Sequence, residues 1–180
     1  MITTFIGPMF SGKSDKLIEI YNSIYNKKAI FTFKPYIDTR DDIFIRSRSK
    51  TEDILSFAIN WFDEIDNIVH NSKDFDGRVI LIDEAQFIQG DVKVLLKLSI
   101  IEQYDIFISG LNLTTELKPF GSIPNILSIS DNIIKLTSTC HYCGKQAEYT
   151  KCLVDKKEDI LVGNDEYIPI CKDCLCKYWR

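Results

Sequence analysis

A glycine-rich octapeptide, Gly-Pro-Met-Phe-Ser-Gly-Lys-Ser at residues 7–14, directly follows the apolar run Ile2–Ile6. It matches the pattern G-x-x-x-x-G-K-[ST], in which glycines let the backbone turn so that successive N–H groups point at phosphate oxygens. The apolar run before it and the helical periodicity over residues 14–25 place it where a strand leads into a helix, whose positive dipole end also favours an anion. The predicted phosphate-binding loop consists of Gly7, Pro8, Met9, Phe10, Ser11, Gly12, Lys13 and Ser14. In such a loop the lysine reaches the β- and γ-phosphates of a nucleoside triphosphate, and the last hydroxyl ligates Mg²⁺.

The charge balance argues against a nucleic-acid-binding protein. The 22 Lys and Arg residues are outnumbered by 26 Asp and Glu residues, which gives a net charge of −4 and leaves no basic face to expect. No run of 18 apolar residues is present, so we expect no membrane span. The phosphate-binding loop begins at Gly7, so we also expect no cleavable leader. These features predict a cytoplasmic protein without a nucleic-acid or membrane partner.

Apolar runs and helical patterns alternate over residues 1–139. The patterns predict strands at 2–6, 29–33, 54–59, 79–82, 105–109 and 133–139, helices at 14–25, 61–69 and 92–103, and loops at 35–53 and 110–125. Such alternation is typical of an α/β fold, here a P-loop NTPase-like, mainly parallel sheet flanked by helices. Ligands of these folds bind at the carboxyl ends of the strands.

Two acidic residues follow the apolar run Val79–Ile82. Beside a phosphate-binding loop, Asp83 is predicted to hold Mg²⁺, directly or through water. Glu84 has two open interpretations. It would activate water in an ATPase, or accept a proton from an acceptor hydroxyl in a kinase. The strand motif alone does not choose between them.

Four cysteines in two C-x-x-C pairs, Cys140 with Cys143 and Cys171 with Cys174, predict a metal-held lobe. Four thiolates supply a closed tetrahedral shell that suits a structural Zn²⁺. The span 144–170 between the pairs carries more acids than lysines, which argues against a nucleic-acid-binding zinc ribbon. It favours a long, lasso-type loop that folds over a small ligand beside the phosphates. We therefore predict an ATP-binding domain over residues 1–139 and a C-terminal zinc-ribbon lobe with this loop over 140–180.

The combination resembles the type II thymidine kinases, the zinc-containing class of the cytosol, of bacteria and of large DNA viruses. The resemblance covers essentially the whole chain. Its marks are the loop at 7–14, Asp38-Thr39-Arg40, Asp83-Glu84-Ala85-Gln86-Phe87, Lys118-Pro119-Phe120-Gly121, Lys135-Leu136-Thr137, Tyr149-Thr150-Lys151 and Gly163-x-x-x-Tyr167.

The resemblance implies transfer of the γ-phosphate of ATP to the 5′-hydroxyl of thymidine, which yields dTMP for nucleotide salvage and DNA synthesis. It makes Glu84 the catalytic base and lets Lys13 and Arg40 stabilise charge on the transferring group. It implies that Ser14, Asp38 and Asp83 serve Mg²⁺. The implied ATP and phosphate contacts beyond the loop are Asp38, Thr39, Arg40, Asp83 and Gln86.

The resemblance also implies a thymidine site. The family holds the thymine ring largely with backbone groups of the loop between the cysteine pairs, here Glu158, Asp159, Ile160, Leu161, Val162 and Gly163, together with Tyr167. The side chains matching the lining of the base pocket are Met9, Phe87, Leu111, Phe120 and Thr150. Members are usually homotetramers and are inhibited by the end product dTTP, so we expect both here.

Some positions depart from the family pattern. Asn112 stands where an aspartate is common, Ser47-Arg48 replaces a Ser-His or Thr-His pair, and Thr115 replaces an aromatic residue that stacks on thymine. Losing that ring costs about 1–3 kcal/mol of stacking. One alternative is therefore a related deoxyribonucleoside kinase with shifted base specificity. Another is a P-loop ATPase with a partner-binding zinc lobe, which would hydrolyse ATP without any nucleoside.

Overall fold

Six parallel strands form the central sheet. The computed structural model describes residues 1–24, 30–36, 44–46, 53–72, 77–154 and 166–178. The strands there are β1 (Ile2–Ile6), β2 (Ile30–Pro35), β3 (Phe44–Arg46), β4 (Asp53–Leu55), β5 (Phe57–Ile59), β6 (Val79–Ile82), β7 (Asp105–Gly110), β8 (Asn132–Lys135), β9 (Ser138–Thr139), β10 (Gln146–Ala147), β11 (Tyr149–Cys152) and β12 (Tyr167–Ile170). The helices are α1 (Lys13–Ser23), α2 (Phe62–Asn71), α3 (Lys93–Leu96, continued by a π-helical turn over Lys97–Ile101), α4 (Ile123–Ile129) and α5 (Lys172–Tyr178). The strands of the central sheet lie in the order β5-β2-β6-β7-β1-β8, and the predicted α/β fold with a parallel sheet is confirmed.

Both faces of the sheet are covered, which explains the continuous apolar run in β6. Ile80 and Ile82 point to one face, where they pack in a core shared with α2, α3 and α4. Leu81 points to the other face and packs with Leu17 of α1. Strands buried on both sides need apolar residues at successive positions rather than at alternate ones.

Several boundary predictions were wrong because a single pattern covered more than one element. The predicted strand 54–59 is β4, which pairs antiparallel with β3, and β5, which joins β2 in the central sheet, with Ser56 between them. The predicted strand 133–139 is β8 in the central sheet and β9, which pairs with β10. The predicted loop 110–125 ends at α4, whose first turn contains Pro124, a position where a helix tolerates proline. The predicted loop 35–53 contains β3, and most of the rest lies outside the described residues.

Residues after β8 form two small antiparallel pairs, β9 with β10 and β11 with β12, and end in α5. A separate small core holds this part together, with Cys140, Ala147, Ile170 and Leu175 among its buried residues. The division into domains at residue 139 stays a prediction. Among the described residues, no helix combines the length and apolarity needed to cross a membrane.

Candidate active site

The octapeptide at 7–14 connects the carboxyl end of β1 to α1, as its pattern predicts. Gly7 passes so close to the Leu136 carbonyl that a Cβ atom would overlap it. Gly12 caps α1 at φ 79°, in the left-handed region that glycine adopts without strain. Phe10 lies at φ 64° despite its side chain, a strained conformation of the kind that functional loops retain. The loop therefore has the sharp turns that its glycine pattern predicts.

Lys13 lies within the curve of the loop. It is only 7% exposed, and its Nζ donates to the Pro8 carbonyl at 2.7 Å and to Ser11 Oγ at 3.4 Å. Ser11 Oγ also donates to the Pro8 carbonyl, at 2.8 Å. The ammonium group is thus held beside the backbone that would surround a phosphate.

Asp83 lies at the end of β6, where it joins two hydroxyl groups from other elements. Ser14 Oγ donates to Asp83 Oδ2 at 2.8 Å, and Ser109 Oγ, near the end of β7, donates to Oδ1. Burial raises the pKa of Asp83 to about 6, and the nearby Glu84 carboxylate adds to the rise, against the two hydroxyls and Lys13, which lower it. The neighbouring groups therefore do not fully offset the cost of burying this carboxylate charge. A bound divalent cation would stabilise the charge.

The Ser14–Asp83 pair fits Mg²⁺ in its donors and spacing. Neighbouring ligands of an octahedral Mg²⁺, each about 2.1 Å from the ion, lie about 3 Å from one another. The 2.8 Å between Ser14 Oγ and Asp83 Oδ2 agrees with this spacing. Sequence reasoning missed Ser109. A polar residue near the end of the strand next to β6 was the signal that could have found it, because carboxyl ends of parallel strands meet at one edge.

Glu84 begins a 3₁₀ turn over Ala85–Phe87 and adopts φ 50°, ψ 41°, which is rare for a residue other than glycine. Its N–H donates to Asp83 Oδ1 at 3.0 Å. The turn takes the chain sharply away from β6 and leaves the Glu84 side chain beside Asp83. Gln86 Nε2 then donates to Glu84 Oε2 at 2.6 Å.

The 111–120 loop, between β7 and α4, lies against this turn. Phe87 and Phe120 meet edge to face, with ring centroids 5.3 Å apart. The Leu111 N–H donates to Gln86 Oε1 at 3.0 Å. Thr115, half-buried in the loop, donates its hydroxyl to Glu116 Oε1 at 2.8 Å. The structure thus brings Phe87, Leu111 and Phe120 of the predicted base pocket together with the acidic strand end.

Side-chain hydrogen bonds also link the phosphate-binding loop to the residues after β8. The Met9 N–H donates to Thr150 Oγ1 of β11 at 2.9 Å, and Thr150 is 7% exposed. Ser138 Oγ of β9 donates to the Phe10 carbonyl at 3.0 Å. The cysteine-bearing part of the chain therefore braces the loop directly.

The four predicted cysteine ligands come together, with all their Sγ atoms within 4.8 Å of one another. Thiolates at about 2.3 Å from a tetrahedral zinc ion lie about 3.8 Å apart. Cys143 Sγ and Cys171 Sγ are separated by 3.5 Å. Burial acts to raise the pKa of the Cys140 thiol. Hydrogen bonds from the N–H groups of Cys171, Cys143 and Tyr142 outweigh this effect and lower the pKa to about 6. The cluster fits a structural zinc ion in donor type, number and spacing.

Asp38, Thr39 and Arg40 lie outside the described residues, as do Glu158, Asp159, Ile160, Leu161, Val162 and Gly163. Tyr167 is described, and it is buried in β12.

The fold and this site define a P-loop nucleotide-binding protein with a four-cysteine lobe. The thymidine kinase family model matches residues 1–175. Relatives named thymidine kinase occur in Onion yellows phytoplasma, at 35% identity over 97% of this chain and 86% of theirs, and in Mycoplasma genitalium, at 36% identity over 92% and 78%. A third, from Pseudothermotoga lettingae, is 29% identical over 98% and 95%. The chain belongs to the thymidine kinase family, and its predicted family resemblance is confirmed.

Proposed function

We propose that this protein phosphorylates the 5′-hydroxyl of thymidine with the γ-phosphate of ATP and releases dTMP for nucleotide salvage. The observation that carries the proposal is the joining of an intact phosphate-binding loop to the acidic strand end. Ser14 and Asp83 are hydrogen-bonded across these two elements, and Glu84 stands one residue beyond. Membership of the family supplies the nucleoside and the phosphate donor.

The loop at 7–14 binds the triphosphate, and Ser14 and Asp83 would hold Mg²⁺. When bound, that ion neutralises charge on the β- and γ-phosphates. Lys13 contributes a fixed positive charge beside the transferring group, which is most effective where water is excluded. Asp38, Thr39, Arg40 and Gln86 remain proposed members of the phosphate side.

Glu84 is the proposed base that receives the proton of the 5′-hydroxyl. Its carboxylate lies beside the metal-binding carboxylate, where an acceptor hydroxyl must approach the γ-phosphate in line. The transition state of phosphoryl transfer is loose, so the main work of Glu84 is to orient the hydroxyl.

The proposed thymidine side comprises residues of the 111–120 loop, of the turn after β6 and of the span between the cysteine pairs. Phe87, Leu111 and Phe120 would line the thymine ring beside Met9 and Thr150. Contact with the 5-methyl group contributes only about 1–3 kcal/mol, so discrimination against deoxyuridine is expected to be modest. The backbone of residues 158–163 and Tyr167 complete this proposed site.

Thr115→Phe is expected to lower the KM for thymidine by at least about fivefold, because it restores a ring on which thymine can stack. Steady-state kinetics with varied thymidine and saturating ATP measure the effect. Thr115→Leu is the matched control, since it adds a similar apolar bulk without an aromatic face. A KM that rises in Thr115→Phe would show that the pocket is arranged differently around this position.

The remaining properties follow from family resemblance with partial structural support. The cluster of four cysteines would hold one structural zinc ion, and cysteines that are not paired in disulfides fit a reducing compartment such as the cytoplasm. We propose a homotetramer inhibited by dTTP. Self-association is favoured by the edge strand β8, in which Ile133 and Ile134 are 51% and 41% exposed.

The test is phosphorylation of each of the four deoxyribonucleosides and of deoxyuridine, with ATP and Mg²⁺ and a control without nucleoside. Product from thymidine and deoxyuridine alone supports the proposal. Product from another deoxyribonucleoside favours a kinase with shifted specificity, which Thr115 makes the second candidate. ATP hydrolysis without nucleoside phosphorylation would overturn the proposal and favour an ATPase.

A further inference from the structure

Gln86 has both ends of its side-chain amide engaged between two parts of the site. Nε2 donates to Glu84 Oε2 at 2.6 Å, and Oε1 accepts the Leu111 N–H at 3.0 Å. The residue is only 4% exposed, so these bonds form away from competing water. A charge-assisted hydrogen bond of this kind is about twice as strong as a neutral one.

Close packing fixes the backbone that carries this amide. Gly121 lies so near the Gln86 carbonyl that a Cβ atom would overlap it. A Cβ atom on Gly110 would come within 2.9 Å of Gln86 Oε1 and would strike the Ile123 side chain. Ser122 Oγ donates to the Ala85 carbonyl at 2.6 Å, which ties α4 to the same turn. Residues at both ends of the 111–120 loop therefore hold the turn in place.

The geometry points to Gln86 as a positioning residue that aims the Glu84 carboxylate and couples it to the 111–120 loop. Fixing one carboxylate oxygen sets the direction of the other, and small errors in aim are costly when two reacting groups must align. The second hydrogen bond of the Gln86 amide, from the Leu111 N–H, fixes Leu111, a proposed thymidine contact. The Gln86 side chain therefore fixes the position of the base relative to part of the nucleoside pocket. The inference rests on the proposed function, in which Glu84 is the base.

Two substitutions separate the ends of the amide. Gln86→Glu keeps an oxygen that can accept from Leu111 but replaces the amide donor with a second carboxyl group beside Glu84, whereas Gln86→Met, of similar length, loses both hydrogen bonds. Each is expected to lower kcat by about 10- to 100-fold, the usual effect of losing a hydrogen bond to a charged group. Gln86→Met is also expected to raise the KM for thymidine by about fivefold, while Gln86→Glu leaves it within about threefold.

A double-mutant cycle with Glu84→Gln separates positioning from a merely structural role. Where the base is absent there is nothing to aim, so Gln86→Met should lower the residual single-turnover rate by less than about threefold in that background. Gln103→Met and Gln103→Glu are matched controls, because Gln103 is exposed and precedes β7 at the opposite end of the sheet. Both should keep the kcat of the parent protein.

Thermal midpoint and ATP binding are measured for every variant. If Gln86→Met does not fold, the cycle is run with Gln86→Glu. The positioning role is overturned if both variants keep kcat within about threefold, or if the loss is equally large in the Glu84→Gln background. Failure of the proposed function looks different. It would appear as a parent protein with no thymidine-dependent product, or as a Glu84→Gln variant with near-normal turnover.

Discussion

Glu84→Gln is expected to lower turnover by at least about 10²-fold while ATP binding stays within about twofold, the usual scale for removing a general base. Glutamine has the same length and shape, so the left-handed turn and the contact with Gln86 can persist. What it loses is the capacity to accept the proton of the 5′-hydroxyl. The site should therefore still assemble but fail at the chemical step.

Two measurements separate binding from chemistry in this variant. ATP affinity is determined by titration in the presence of Mg²⁺, and the rate of dTMP formation by single-turnover kinetics with both substrates saturating. Glu19→Gln is a matched control, since it makes the same chemical change on an exposed residue of α1, outside the proposed site. Near-normal turnover of Glu84→Gln would exclude Glu84 as the base. A large loss of ATP affinity would instead make Glu84 part of the nucleotide site.

The features that sequence alone predicted well are those in which a backbone requirement or a ligand rule fixes residue identity. Gly7 is required because the Leu136 carbonyl lies too close for a side chain, and Gly12 because it caps α1 in the left-handed conformation. The spacing of the two glycines is therefore enough to predict the loop. The two cysteine pairs are far apart along the chain, yet metal coordination predicts their meeting, and the structure confirms it. The run Val79–Ile82 was identified as a central strand because few other elements are apolar at every position.

What sequence could not predict depends on contacts between distant elements. The sequence does not indicate which groups the Gln86 amide contacts. The close packing of Gly110 and Gly121 against Gln86 shows where this side chain lies in the structure. The hydroxyl of Thr150 is one of many in the chain, and only the paired strands β11 and β12 bring it to the Met9 N–H. Ser56 separates two strands of different sheets, although the local pattern is that of one continuous strand. Side-chain hydrogen bonds and strand partners of this kind leave little periodic signal.

Cys171→Ser is expected to reduce zinc from about one ion per chain to well below that, and to lower the thermal midpoint by at least about 5 °C. Cys171 is buried in the small core with Cys140 and Cys174, so the metal and the packing of this part depend on each other. The three remaining cysteines would lose the zinc ion that holds their sulfur atoms together. A serine hydroxyl is a much poorer zinc ligand than a thiolate.

The effect of Cys171→Ser should also reach the phosphate-binding loop. Thr150 and Ser138 hold the backbone of Met9 and Phe10 from the cysteine-bearing part, so loosening that part removes two restraints on the loop. ATP affinity is therefore expected to fall together with zinc content, by about fivefold or more, which corresponds to about one neutral hydrogen bond. Cys176→Ser is the matched control, because Cys176 lies on α5, the helix that begins directly after Cys171, but is exposed and outside the cluster. Elemental analysis, thermal melts and ATP titration on both variants decide the matter. Unchanged metal content in Cys171→Ser would mean that the metal is held elsewhere, whereas lost zinc with unchanged ATP affinity would show that the two hydrogen bonds do not transmit the effect.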